Sequence, residues 1–197
     1  MTVEKRPYRK KRRAELEAET RRRITETAVE LHGTVGPSRT SISAIAERAG
    51  VRRSTVYRHF PDEAALFAAC SAHWAEQNPL PDLEGWGSIG DPGERLRTGL
   101  REMYAFYRRA ERMLENLYRD ESAVPSVKQQ FTAFRGYLAA AHETLLRGRP
   151  ERGRRRDEAR AAIGHALAFT TWRSLTREQG LDDEQALELM CRFSKPR

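Results

Sequence analysis

Residues 52–60 read RRSTVYRHF, with three arginines, a histidine and a tyrosine around a Ser-Thr pair. Most side chains in the run donate hydrogen bonds, and only Val56 and Phe60 are wholly apolar. Arginine presents a planar fork that pairs with two acceptors at once, as guanine O6 and N7 require in a DNA major groove. Serine and threonine hydroxyls reach phosphates or base edges, and a threonine methyl packs on a thymine methyl. Tyrosine and histidine donate to phosphate oxygens from rigid rings. The chemistry on offer is recognition of a polyanion whose edges carry acceptors. It is not bond making.

The charge distribution agrees. The 197-residue chain holds 36 Lys/Arg against 28 Asp/Glu, a net charge of +8. Residues 1–60 hold 15 against 7, and residues 61–197 hold 21 against 21, so the whole excess lies in the first third. Such asymmetry fits a nucleic acid or an anionic membrane surface. A solvated basic tail is the competing reading. No carboxylate pair, phosphate loop or Ser-His-Asp arrangement with usable spacing is visible, so an enzyme is not expected. The histidines at 32, 59, 73, 142 and 165 form no H-E-x-x-H, and Cys70 and Cys191 form no C-x-x-C. Neither a metal, a cofactor nor a disulfide framework is expected. MTVEKRPYRKKRR lacks the apolar run of a secretory signal, and no stretch approaches the roughly 18 apolar residues of a membrane span. The expectation is a soluble cytoplasmic protein without a membrane partner.

The elements that must position RRSTVYRHF are helical. Strand patterns are scarce, and Ala, Leu, Arg and Glu dominate, which predicts an all-α chain. Residues 1–13 read as a basic, disordered arm. A helix is expected over 14–33, with Ile24, Ala28 and Leu31 inward and Gly33 as its stop. Ser41 is a good N-cap for a short helix over 42–49 that turns Ile42, Ile45, Ala46 and Ala49 inward. Gly50 supplies a tight turn, and a second short helix covers 52–59. Pro61 suits the first turn of the next helix, which carries Leu66, Phe67, Cys70 and Trp74. NPLPDLEGWGSIGDPG, residues 78–93, reads as a linker or loop. Helices are then expected at 93–109, 110–121, 126–147, 155–178 and 182–194. The divisions are the arm at 1–13, a small unit at 14–78 and a larger helical unit at 79–197.

Short helix, glycine turn, short helix is the layout of a helix-turn-helix. Ala46 is small enough for a close crossing, Gly50 tolerates positive φ, and Ile45, Val51 and Val56 pin both helices. The second helix then faces outward with Arg52, Arg53, Ser54, Thr55, Tyr57 and Arg58. Its N-terminal residues would meet the bases, which places Arg53, Ser54 and Thr55 deepest and leaves Tyr57 and His59 at the backbone. Arg21, Arg22 and Arg23 read mainly as a solvated face, with phosphate contact as the alternative.

SISAIAERAGVRRSTVYRHFPDEAAL, residues 41–66, resembles the DNA-binding region of the TetR/AcrR transcriptional regulators, most specifically in A-G-V-x-x-x-T-V-Y-x-H-F. The resemblance covers about residues 20–75 and extends beyond them only in architecture. It implies a homodimer in which each subunit joins a three-helix reading head to a helical ligand-binding and dimerisation domain. A small-molecule effector would respace the heads and release a pseudo-palindromic operator, which usually means repression. Carried over residue by residue, the DNA contacts are Thr40, Ser41, Ser43, Arg52, Arg53, Ser54, Thr55, Tyr57 and His59. The sequence departs from the pattern at Glu63, where the family commonly has a phosphate-contacting lysine. The basic arm is a candidate source of the missing positive charge.

Tyr104, Tyr107, Tyr137, His142 and Trp172 are candidates for an effector pocket, since pockets are aromatic with a few polar tips. Ordinary core packing is the competing reading. Small residues in ARAAIGHALAFTTW and an apolar stripe of Ala186, Leu187, Met190 and Phe193 suggest that helices at about 157–178 and 182–194 pair with their symmetry mates. The alternative is intrachain packing. Buried Cys70 reads as structural.

Overall fold

The computed structural model describes the backbone of residues 5–194 and side chains from Lys10 onward. Among the described residues the secondary structure is helical, without a strand. The order is α1 (Lys5–Thr34), a 3₁₀ turn (Pro37–Arg39), α2 (Ile42–Arg48), α3 (Arg53–His59), α4 (Glu63–Gln77) and α5 (Leu83–Ser88). Then come α6 (Pro92–Asp120), α7 (Pro125–Leu146), α8 (Arg154–Ala166), α9 (Phe169–Arg173), a π turn (Ser174–Glu178) and α10 (Asp183–Phe193). Contacts gather these into two compact units: Met1–Gln77 with Arg112–Gln130, and Asn78–Glu111 with Phe131–Arg197.

The core of the first unit joins Ile24 and Ala28 of α1, Ile42, Ile45, Ala46 and Ala49 around α2, Val56 and Phe60 around α3, and Leu66 and Cys70 of α4. Fully burying a side chain such as Phe60 or Ile24 contributes about 1.5–3 kcal/mol each, so these few contacts fix the short helices. Residues 112–130 add polar ties to the bend after α1. Asn116 Nδ2 donates to the His32 carbonyl at 3.0 Å, Arg119 Nη2 to the Val35 carbonyl at 2.9 Å, and Ser38 N–H to Asp120 Oδ2 at 3.0 Å.

In the second unit Trp86 is buried and its indole N–H donates to Glu102 Oε2 at 2.7 Å. Tyr104 and Tyr107 are fully buried beside Phe169 and Trp172, with the Tyr107 ring 5.4 Å from Phe169 and 5.9 Å from Trp172. Asp182 and Gln185 form a reciprocal capping box that starts α10.

Four expectations are corrected. Of the arm expected at 1–13, residues 1–4 lie outside the described residues and Lys5–Arg13 are helical, since Lys and Arg have good helix propensity. The 78–93 stretch contains α5, started by Asp82, whose carboxylate accepts from Glu84 N–H and Gly85 N–H. The expected pair of helices at 93–109 and 110–121 is the single helix α6, since neither Gly nor Pro interrupts it there. The expected helix over 155–178 breaks at Leu167 and Ala168, where Ala168 turns extended (ψ 133).

Candidate nucleic-acid interface

α2 and α3 are joined by a tight, fully hydrogen-bonded turn. Ser41 Oγ accepts from Ala44 N–H at 3.1 Å and starts α2. At its end, Gly50 N–H reaches the Glu47 carbonyl at 3.1 Å and Val51 N–H the Ala46 carbonyl at 2.9 Å. That double closure requires a left-handed residue, and Gly50 sits at φ 65. α3 begins one residue past Arg52 without a side-chain cap, so Arg52, Arg53 and Ser54 stand exposed at its start.

Val56 is fully buried and Phe60 almost so, which turns the opposite face of α3 outward. Arg53, Ser54, Tyr57 and Arg58 are exposed, and Thr55 is half-buried. Arg53 Nη2 donates to Tyr57 Oη at 3.2 Å. Ser43 is exposed on α2 and Thr40 is half-buried, with its hydroxyl donating to the Gly36 carbonyl at 2.8 Å. The nine expected contact residues thus fall within the turn before α2, α2 itself, the residue that precedes α3, and α3. They are not equivalent: the Ser41 and Thr40 hydroxyls already make intrachain bonds.

His59 is more embedded than its motif position suggests. The ring is half-buried, and Nε2 is buried without a hydrogen-bond partner. Burial, then the Arg58 and Arg21 charges, push its pKa below 6.5, against a weaker opposing pull from Glu17. The imidazole is therefore neutral at pH 7.

Arg21 has a role that its neighbours in sequence do not signal. Its guanidinium donates to the His59 carbonyl and lies 4.1 Å from the Phe60 ring centroid. It satisfies a carbonyl at the C-terminus of α3, where a cation also interacts favourably with the helix dipole. The partner lies 38 residues away, so no local pattern could have found it.

The aromatic candidates of the second unit divide in two. Tyr104, Tyr107 and Trp172 lie together, fully buried. Tyr104 Oη donates to the Ala166 carbonyl at 3.0 Å and Tyr107 Oη to the Leu167 carbonyl at 2.5 Å, holding the break between α8 and α9. Trp172 Nε1 donates to Asp183 Oδ1 at 2.9 Å. Burial pushes the Asp183 carboxyl up, but the Arg108 and Trp172 bonds hold it below the usual carboxylate range. Tyr137 and His142 sit apart from this group on α7. Tyr137 Oη donates to the Pro81 carbonyl at 2.9 Å, and His142 Nε2 lies 2.8 Å from the Arg160 carbonyl. Each polar tip therefore makes an intrachain bond. On α10, Ala186, Leu187 and Met190 are buried within the unit, which leaves Phe193 as the exposed member of the expected stripe. Its ring lies 6.4 Å from that of exposed His165 on α8.

A glycine-closed pair of short helices with an arginine-rich outward face defines a helix-turn-helix protein. Comparison with known proteins narrows the class. Residues 24–70 match the family model described as bacterial regulatory proteins, tetR family. The HTH-type transcriptional regulator AcrR of Shigella flexneri is 43% identical over 86 residues, which are 43% of this chain and 38% of that protein. A TetR-like transcriptional regulator from Rhodococcus sp. RHA1 superposes with a TM-score of 0.65 at 19% identity, covering 89% of this chain and 93% of that one. A structure from Mesorhizobium loti assigned to the same family gives 0.63 at 19% identity, covering 90% and 94%. These structural likenesses show the shared all-helical fold. The likeness to the tetR family of bacterial regulatory proteins is thus shown for residues 24–70, and the chain spans well under half the length of the curated relative it matches.

Proposed function

We propose that this protein is a ligand-responsive, DNA-binding transcriptional regulator that acts as a repressor. The observation that carries the reading is the α3 face, where Arg53, Ser54 and Tyr57 stand exposed on a helix pinned by Val56 and Phe60. In the proposal Arg53, Ser54 and Thr55 read bases, with Arg52 beside them. Tyr57 and His59 grip phosphates, and Thr40, Ser41 and Ser43 lie against the backbone. Two subunits bind a pseudo-palindromic operator, with half-sites on successive major grooves. The subunits pair through about 157–178 and 182–194, and exposed Ala161, His165 and Phe193 are open for that contact. An effector taken up among Tyr104, Tyr107, Tyr137, His142 and Trp172 releases the DNA. Buried Tyr104, Tyr107 and Trp172 support that assignment, and in the proposal the effector replaces intrachain partners of the polar tips.

The test is selection of bound duplexes from a random pool, followed by titration of the winner at fixed salt. A two-fold-symmetric sequence is expected, with each mismatched base pair costing about 1–3 kcal/mol. Arg53→Ala should weaken operator binding and relax specificity at one base pair per half-site. Operator affinity equal to wild type in that variant would remove α3 as the reading face. A specificity ratio near one would instead mark a non-specific binder.

A further inference from the structure

The N-terminal third of α1 stands outside the core of its unit. Lys10 through Glu19 are all exposed, so this stretch gains nothing from tertiary packing. An isolated helical segment of this length is marginal in water. Its charge makes matters worse. The sequence from Lys5 to Arg13 carries seven cations, and no acidic residue lies in the first turn of α1. Cations at this end of a helix oppose its dipole. The Arg13–Glu17 ion pair is open to solvent and contributes little. The cations precede Glu15, Glu17 and Glu19 and are gathered into Lys5–Arg13, and such a cluster of one sign, unexplained by stability, fits a partner of the opposite sign.

The position of the stretch within its unit identifies that partner. Arg21 ties α1 to the C-terminal end of α3, at the His59 carbonyl and the Phe60 ring. Arg13 is eight residues upstream, about 12 Å along the helix at 1.5 Å per residue. The cations therefore continue from the end of α3 that carries Tyr57 and His59, the residues assigned to phosphates. An anionic membrane fits less well. A helix that lies in a membrane surface needs a broad apolar face, and Leu16 is the one large apolar side chain between Lys10 and Glu19.

We propose that Lys10, Lys11, Arg12 and Arg13 form a second DNA contact, docking on duplex phosphates beside those gripped by α3 and adding affinity without sequence preference. This rests on the DNA-binding reading above. The test replaces all four with Gln, which keeps the helix propensity, in the full chain. The slope of log Kobs against log salt is then measured on the selected operator and on a random duplex of equal length. Neutralising one phosphate contributes a slope of about −0.9. The variant's slope should therefore be less negative by roughly 2–4 per bound subunit on both duplexes, with the operator-to-random ratio unchanged. An unchanged slope overturns the proposal. So does loss of binding to vesicles of phosphatidylserine with no change on DNA, which would assign the cations to a membrane. Failure of the α3 reading shows separately, as an operator-to-random ratio near one in the unmodified protein.

Discussion

Tyr57 Oη accepts a hydrogen bond from Arg53 Nη2 across one turn of α3, at 3.2 Å, and the Arg53 guanidinium carbon lies 5.6 Å from the Tyr57 ring centroid. The tyrosine is the acceptor, so its own proton stays available for a phosphate. One ring thereby steadies the proposed base reader and offers the proposed clamp. An arginine side chain loses considerable rotamer entropy on binding, and a partner already in place lowers that cost.

Tyr57→Phe keeps the ring and removes the acceptor. Operator affinity should fall about tenfold, and discrimination at the base pair read by Arg53 should fall with it. The comparison is fluorescence anisotropy on the operator and its single-base variants. Equal weakening on every duplex would mean that the hydroxyl serves phosphates alone. Near-additivity of Tyr57→Phe with Arg53→Ala would separate the two residues in the same way.

His32 makes stability depend on pH. Its imidazole is buried in the first unit, 5.4 Å from the Phe67 ring, and its pKa is pushed from 6.5 to about 4. Burial is the main cause, and the charge of Asp120 pulls weakly the other way. The folded state therefore binds this proton less readily than the unfolded state. The contribution is complete above about pH 6.5 and is lost as pH falls toward 4, as much as about 3 kcal/mol. Urea titrations at pH 7 and pH 4.5 should show the loss, and His32→Phe should flatten it.

Two glycines with positive φ should respond differently to alanine. A Cβ on Gly50 (φ 65) meets nothing within 4 Å, so Gly50→Ala costs only the left-handed conformation, about 1 kcal/mol. A Cβ on Gly36 (φ 95) would lie 2.0 Å from Arg119 Nη2 and 2.6 Å from Asp120 Oδ2. Gly36→Ala must also displace the Arg119–Asp120 pair that braces the 3₁₀ turn. Thermal denaturation should rank Gly36→Ala clearly below Gly50→Ala.

Tyr107→Phe strands the Leu167 carbonyl at the break between α8 and α9. A buried acceptor without a partner costs about 1–3 kcal/mol, so the melting temperature should drop measurably. The ring remains against Phe169 and Trp172, so little of the loss comes from packing.

The helix-turn-helix was legible because its boundaries are local: Ser41 and Gly50 act within a few residues of themselves, through a cap and a turn, and the spacing of Val56 and Phe60 marks the inward face of α3. Helix ends set by distant contacts were not legible. The extended Ala168 depends on hydroxyls from Tyr104 and Tyr107, 60 or more residues earlier. The inclusion of 112–130 in the first unit depends on Asn116, Arg119 and Asp120 reaching back to His32, Val35 and Ser38. Aromatic spacing could not decide the fate of the polar tips, because hydroxyls bound to carbonyls and hydroxyls open to a ligand share the same sequence pattern.

Each compact unit carries one cysteine. Cys70 is buried in the first and Cys191 in the second, and burial pushes the Cys70 thiol up to about 12. A thiol is modified as thiolate and only when reached by reagent, so both should resist alkylation in the native protein. Labelling rates at the two positions, separated by peptide mass, would then act as independent clocks for the opening of each unit. Operator should slow the clock at Cys70 and an effector the clock at Cys191, which turns two packing residues into reporters of where each ligand binds.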